Sequence, residues 1–283
     1  PDLLAPDAIL VGDSGNFVPG RPTLTTTLRG MVVVEVTVST LIGERHSGQF
    51  GGAAPDAMTA LVRMLATLHD EHGDTVVDGL TPAPTWADRV EYPEDRFRAE
   101  AGVLPGVELL GTGPLADRLW SRPSAAVLAV DCPAVSQAAP ALMPTAKALL
   151  SLRLPPGTDP EHGYRALAAH LRRAVPWGAQ LDLRRVTTGG SFHSDPGGPA
   201  HTAMVAAMGE AFGSEPVTVG SGGSIALCET FQALYPRAEL LLFGVEDPQA
   251  NIHAPNESVN PAEIASMAHA EALFLQRYAA SRA

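Results

Sequence analysis

The sequence predicts an α/β protein in which a β-α-β-β-α-β unit interrupts a second, alternating α/β unit. Three observations carry this. Residues 31–186 spell four strand-like and two amphipathic helical segments in that order. GGSFHSDPGGP (189–199) then has the composition of a linker. Beyond it the pattern becomes helix, strand, helix, strand, helix, the rhythm of an α/β unit.

Taken in order, AILVG (8–12) reads as a short buried strand. MVVVEVTV (31–38) is β-branched and alternates at its end. PDAMTALVRMLATLHD (55–70) sets Met58, Leu61, Val62, Leu65 and Leu68 at helical spacing behind Pro55. Residues 79–123 are rich in Pro and Gly and read as loop with short helical pieces. AAVLAV (125–130) and ALLSLRL (148–154) read as strands, PEHGYRALAAHLRRAV (160–175) as a helix and QLDLRRV (180–186) as a strand. That order is the split βαβ, or ferredoxin-like, pattern. After the linker come helix 200–212, strand PVTVG, helix 224–234, strand ELLLFG (239–244) and helix 261–280. The α/β unit therefore counts one strand before the insertion and about two after it. A parallel sheet covered by helices needs more, so this unit is expected to lack its beginning. The expected boundaries are 1–28 for its first segment, 29–188 for the insertion and 189–283 for its second segment.

Composition narrows the class. A chain of 283 residues, 45% hydrophobic, supports a sizeable core and two domains. The net charge is -12 and no basic cluster occurs, which disfavours a nucleic-acid partner. No apolar run approaches the ~20 residues needed to span a bilayer. PDLLAPDAIL lacks the charged start of an export signal. Cys132 and Cys228 lie far apart, as expected of reduced thiols in a cytoplasmic protein. Lys147 is the only lysine, which reads as genomic composition bias.

Several residues are candidates for chemistry. Asp13 follows a buried strand, where α/β folds place ligands; it reads as a metal ligand or as a turn aspartate. His253 sits in a loop that Pro248 and Pro255 keep out of helix, with Asn256 and Glu257 able to steady its ring; an ordinary exposed histidine is the alternative. Gly220, Gly222, Gly223 and Ser224 join a strand to a helix, either as an anion site at the helix start or as a tight turn. A carboxylate or oxyanion suits this loop better than a nucleotide, because neither P-loop nor Rossmann spacing is present. Arg153, inside an apolar strand, needs an anion, either a ligand or a neighbouring acid. His46 stands in RHSGQFGG on a glycine-rich hinge, presented outward or simply in loose backbone. His69, Asp70, Glu71, His72 and Asp74 read as a solvated helix end, since imidazoles there meet the helix dipole favourably. His193 and His201, flanking the linker, read in the same way. No Gly-x-Ser-x-Gly nucleophile elbow occurs.

HSGQFGG, SLRLPPGTD, GSGGSI and H-A-P-N-E, in this order, resemble the M20 metallopeptidases, most closely the carnosinase-like or cytosolic nonspecific dipeptidase branch. The resemblance implies a catalytic α/β domain with an inserted ferredoxin-like lid that serves for dimerisation. It implies a site of two Zn2+ ions, or Mn2+ or Co2+, with Asp13 ligating one metal and His253 the other. His46 would reach across a homodimer to stabilise the oxyanion in the partner's site. Arg153 would grip the substrate carboxylate, and Gly223 and Ser224 would hold the substrate backbone. The implied activity is hydrolysis of dipeptides or short peptides with a free C-terminal carboxylate. The alternatives are an N-acyl amino acid deacylase or carboxypeptidase of the same family, and a non-catalytic dimerisation module. The family's H-x-D motif, bridging aspartate and Glu-Glu pair have no counterpart here, and GGSIA replaces GGSIP. A catalytic zinc normally keeps three protein ligands, whereas each metal here would retain one. The chain is therefore expected to be the C-terminal portion of a longer enzyme, inactive alone and not fully binding its metals.

Overall fold

A computed structural model of the chain describes residues 5–80 and 90–282. Residues 81–89 of the expected loop and 1–4 of the expected first segment lie outside the described residues. The elements in chain order are β1 (Ala8–Gly12), β2 (Thr23–Leu28), β3 (Gly30–Ser39), β4 (Arg45–His46), α1 (Ser47–Phe50), α2 (Ala57–Ala66), α3 (Glu94–Glu100), α4 (Leu115–Trp120), β5 (Ser124–Asp131), β6 (Ala141–Leu142), β7 (Thr145–Leu154), α5 (Pro160–Ala174), β8 (Gln180–Gly189), β9 (Phe192–His193), α6 (Pro199–Phe212), β10 (Val217–Ser221), α7 (Ala226–Leu234), β11 (Glu239–Phe243) and α8 (Pro261–Arg282).

The inserted unit forms a four-stranded sheet in the order β5-β7-β3-β8, with every neighbour antiparallel. Strand periodicity explains its packing. Val32, Val34, Val36 and Val38 share one face of β3 and are buried with Leu150, Leu152 and Leu154 of β7. On them lie Ala57, Ala60, Leu61 and Met64 of α2 and Leu167 and Leu171 of α5. Each fully buried Val or Leu side chain contributes about 1.5–3 kcal/mol, so the valine stripe alone fixes which face of β3 turns inward. Asp56 caps α2 by accepting from the Thr59 amide at 2.8 Å, and its other oxygen accepts from the Met143 amide at 2.7 Å. One carboxylate thus anchors the helix start to the segment entering β7. Asp159 caps α5, and Pro160 occupies its first turn.

The second unit is a five-stranded mixed sheet in the order β1-β11-β2-β10, with β9 on β2. Parallel pairs β1/β11 and β2/β10 meet where Leu242 lies antiparallel to Thr25. Two strands, β1 and β2, precede the insertion, where the sequence reading finds one. TLTTTL escapes a periodicity search because it does not alternate apolar with polar. Its threonines are nevertheless β-branched and suited to a pleated surface, and all six residues are buried. β11 is covered on both faces. Leu241 and Phe243 pack against α6 and α8, while Leu240 and Leu242 join Val11, Leu28, Phe192 and Cys228 of α7.

This placement separates the two thiols. Burial, and secondarily the charge of Asp13, push the Cys228 thiol up to about 11, whereas Cys132 is exposed. Thiolate is the reactive form. Iodoacetamide at neutral pH is therefore expected to add one group to the native protein, at Cys132, and two after denaturation. Intact-mass measurement checks this, and rapid double labelling of folded protein would refute the packing of α7.

Candidate functional site

Two loops leaving the ends of β1 and β11 lie against each other. The Ser14 amide donates to the Phe243 carbonyl at 3.2 Å, and the Asn16 amide donates to the Glu246 carbonyl at 2.7 Å. Asn16, 2% exposed, is fixed from below: its Nδ2 donates to Glu263 in the first turn of α8 at 2.5 Å, and its Oδ1 accepts from the Thr23 amide at 2.9 Å. The other Glu263 oxygen accepts from the Gly20 amide at 2.7 Å. This buried polar network is satisfied on both sides and therefore defines the loop geometry. It places Asp13 on an open cleft of about 540 Å³ that Arg29, Gly223, Ser224, Glu246 and His253 also line.

His253 lies in non-helical backbone, as its flanking prolines require, and has φ of 62°. Asn251 and Asn256 in the same loop also have positive φ. Left-handed backbone costs roughly 1–2 kcal/mol for a residue with a side chain, less for Asn. The Ala254 amide, donating to the Asn251 carbonyl at 2.8 Å, and the Ser258 amide, donating to the Ala250 carbonyl at 2.9 Å, hold the loop in this form. Among the described residues no hydrogen bond joins Asn256 or Glu257 to His253. Glu257 acts instead on Glu246, whose carboxyl is raised by burial first and then by the charges of Glu257 and Asp13, with His253 opposing. Sequence reasoning missed Glu246. Its only signal was a carboxylate just past the apolar strand ELLLFG, the same context that singled out Asp13.

Ser224, which lines the cleft, accepts through Oγ from Arg153 Nη1 at 3.2 Å and donates to the Arg29 carbonyl at 2.7 Å, while Arg153 itself is not among the lining residues. The β3/β7 register, Met31 opposite Arg153, brings Arg29 beside this pair. Burial lowers Arg153, and burial together with the charge of Arg153 lowers Arg29 to about 10. Arg29 is a second residue that the sequence did not reveal. Gly222 lets the loop pass close to Arg29, since a Cβ there would meet Arg29 Nη2 at 2.7 Å and the guanidinium would have to shift.

His46 is not among the residues that line the cleft. It is exposed on the two-residue strand β4, opposite Ala141. The glycines behind it have steric reasons: a Cβ at Gly51 would meet the Ser47 carbonyl oxygen at 2.3 Å, and Gly52 has φ of 87°. The acidic and histidine group after α2 is structural. Asp70 accepts from the His72 and Asp74 amides, and Asp74 pairs with Arg122 at 3.3 Å. A further cavity of about 610 Å³ beside Asp74 and Arg122 contains none of the candidate ligands.

The donor set can be tested against a divalent metal. Asp13, Glu246 and His253 offer the oxygen and imidazole chemistry that zinc accepts. Among the described residues, however, no three His, Cys, Asp or Glu groups stand together closely enough to hold an ion. The described residues therefore do not fit a complete metal centre.

Comparison with known proteins bears on the fold and the family. A cysteinylglycine-S-conjugate dipeptidase of Corynebacterium striatum is 42% identical over 281 residues, covering 98% of this chain and 62% of that protein. The structure of the di-peptidase Dug1p from Saccharomyces cerevisiae matches with a TM-score of 0.81 at 22% identity, over 96% of this chain and 59% of that one. Human carnosine dipeptidase 1 matches with a TM-score of 0.76 at 20% identity, over 96% and 59%. At these identities the two structures show the fold alone. The chain thus spans about three-fifths of the length of the relatives it matches. The peptidase dimerisation domain of the M20 peptidases matches residues 26–179, more than half of the chain, including β3, β5 and β7 of the four-stranded sheet and ending just before β8. By that match the chain belongs to the M20 peptidase family.

Proposed function

We propose that the protein acts as a metal-dependent dipeptidase on short peptides with a free C-terminal carboxylate, as a cytoplasmic homodimer. The observation that carries this reading is the joining of two kinds of chemistry in one cleft. Asp13, His253 and Ser224 line it, and the cationic Arg153 donates to Ser224 Oγ. The dipeptidase names of the relatives support it. Among the described residues no helix is long and apolar enough to cross a membrane.

Each residue then has a task. Arg153 receives the substrate carboxylate, which limits substrates to short peptides or terminal residues. Gly223 and Ser224 align the peptide backbone. His46 of one subunit donates to the oxyanion in the other, with the four-stranded unit as lid and dimer platform. Asp13 and His253 each offer one ligand to one of two divalent ions, Zn2+ or Mn2+ or Co2+, with Asn256 and Glu257 flanking the histidine. Because the described residues supply no third neighbouring donor, the 283-residue chain alone is expected to show no turnover with added zinc.

A substrate panel tests the activity. The full-length protein with divalent metal is expected to hydrolyse cysteinylglycine or β-alanylhistidine, to spare the matching dipeptide amides, and to lose activity on chelation. Equal rates on the amides would remove the carboxylate role. Cleavage of N-acyl amino acids instead of dipeptides would make it a deacylase, and no cleavage of either would leave a dimerisation module.

A further inference from the structure

Arg29 is a charge that the fold leaves unanswered. It stands between β2 and β3 and is 8% exposed. Its Nη1 donates to the Arg122 carbonyl at 3.2 Å, its amide donates to the Ser221 carbonyl at 3.2 Å, and its Nε is buried without a partner. Among the described residues no carboxylate forms an ion pair with Arg29 or with Arg153. Buried cations are ordinarily paired. Here burial lowers the pKa of both guanidinium groups, and Arg29 has the cationic Arg153 as its electrostatic neighbour.

The surroundings are shaped to keep Arg29 at the cleft rather than to neutralise it. Gly222 approaches Nη2 so closely that a Cβ there would meet it at 2.7 Å and displace the guanidinium. Ser224 links the two arginines, donating to the carbonyl of one and accepting from the guanidinium of the other. The helix that follows, α7, begins after Ile225 with no side-chain cap, so its first amides have no side-chain acceptor at the cap. Helix start and arginines therefore add the same sign of potential to one recess.

We propose that Arg29 is the second guanidinium of the carboxylate seat, so that rejection of uncharged peptide ends is a property of two arginines rather than of Arg153 alone. This rests on the reading of the cleft as a peptide site and names a further specificity-determining residue in it. A terminal carboxylate offsets both buried cations and has oxygens enough for both. An amide end has the same shape but no charge, and leaves both cations unanswered.

Titration calorimetry on the chain, with glycylglycine and glycylglycinamide as probes, tests this. Wild type is expected to prefer the acid by roughly 10- to 100-fold, the range that loss of a charge-assisted hydrogen bond represents. Arg29→Gln, shown folded by circular dichroism, is expected to lose most of that preference, and Arg29→Lys to retain part of it. Should Arg29→Gln fail to fold, the wild-type protein still decides. The 15N resonance of the Arg29 Nε–H, identified by its loss in Arg29→Lys, is expected to shift with glycylglycine and not with the amide. An unchanged preference in folded Arg29→Gln, an unresponsive Nε–H resonance, or no acid preference in wild type overturns the seat. So does a response to inorganic phosphate alone. Turnover is read separately. A seat that binds the acid in a protein cleaving no dipeptide refutes the proposed function, whereas dipeptide cleavage with Arg29→Gln unaltered in preference refutes the seat.

Discussion

Replacing His46 by alanine is expected to lower kcat on a dipeptide roughly 100- to 1,000-fold in the active protein, with a far smaller change in KM. The reason lies in where the ring stands. It is exposed, carries no side-chain hydrogen bond among the described residues, and does not line the cleft that holds Asp13 and His253. A ring that supported its own fold would be buried or bonded, and its loss would lower stability instead of turnover. A donor that meets the substrate only as charge develops on the carbonyl oxygen lowers kcat and leaves ground-state binding nearly intact. The same placement sets up a complementation test. His46→Ala and Asp13→Ala subunits, each inactive alone, are mixed and allowed to exchange. If the histidine acts across the dimer, each heterodimer contains one site with all its groups intact, and activity returns. No recovery, with heterodimers demonstrated, would mean that each site is complete within one subunit and that His46 has another task.

What the sequence disclosed followed from periodicity, and what it hid depended on register. The valine stripe of β3 and the capped starts of α2 and α5 are local patterns, so the order of the inserted unit was legible. β2 was not, because six buried residues of which four are threonines show no hydrophobic alternation. The site divides in the same way. Asp13 and His253 could be picked out because each follows an apolar strand, a relation visible within a dozen residues. Arg29 could not, because its importance depends on Arg153 and Ser224, residues that only the Met31 to Arg153 register and the folding back of α7 bring near. Glu246 was overlooked for a related reason: its carboxyl is raised by burial first and then by the charges of Glu257 and Asp13, surroundings that only the folded chain creates.

Gly244→Ala is expected to destabilise the protein by about 3 kcal/mol or more, the upper end of the cost of overpacking, while Gly12→Ala stays within about 0.5 kcal/mol. Gly12 ends β1 opposite Phe243, and Gly244 directly follows Phe243 at the end of β11, so a generic preference for glycine there predicts equal effects. Their surroundings differ. A Cβ on Gly244 would meet the Ser14 carbonyl oxygen at 1.6 Å, whereas a Cβ on Gly12 has nothing within 4 Å. The obstacle at Gly244 is backbone, which cannot rotate aside as a side chain does. Relief requires the loop after β1 to move from the loop after β11, which breaks the Ser14 to Phe243 and Asn16 to Glu246 hydrogen bonds. Those bonds set the spacing of Asp13 from Glu246 and His253. Urea unfolding of both variants measures the stability difference, and catalytic assays on the folded fraction of Gly244→Ala report whether the cleft has opened. Equal midpoints for the two variants would show that the loops are not in the contact described, and the pairing of Asp13 with His253 across one cleft would fall with it.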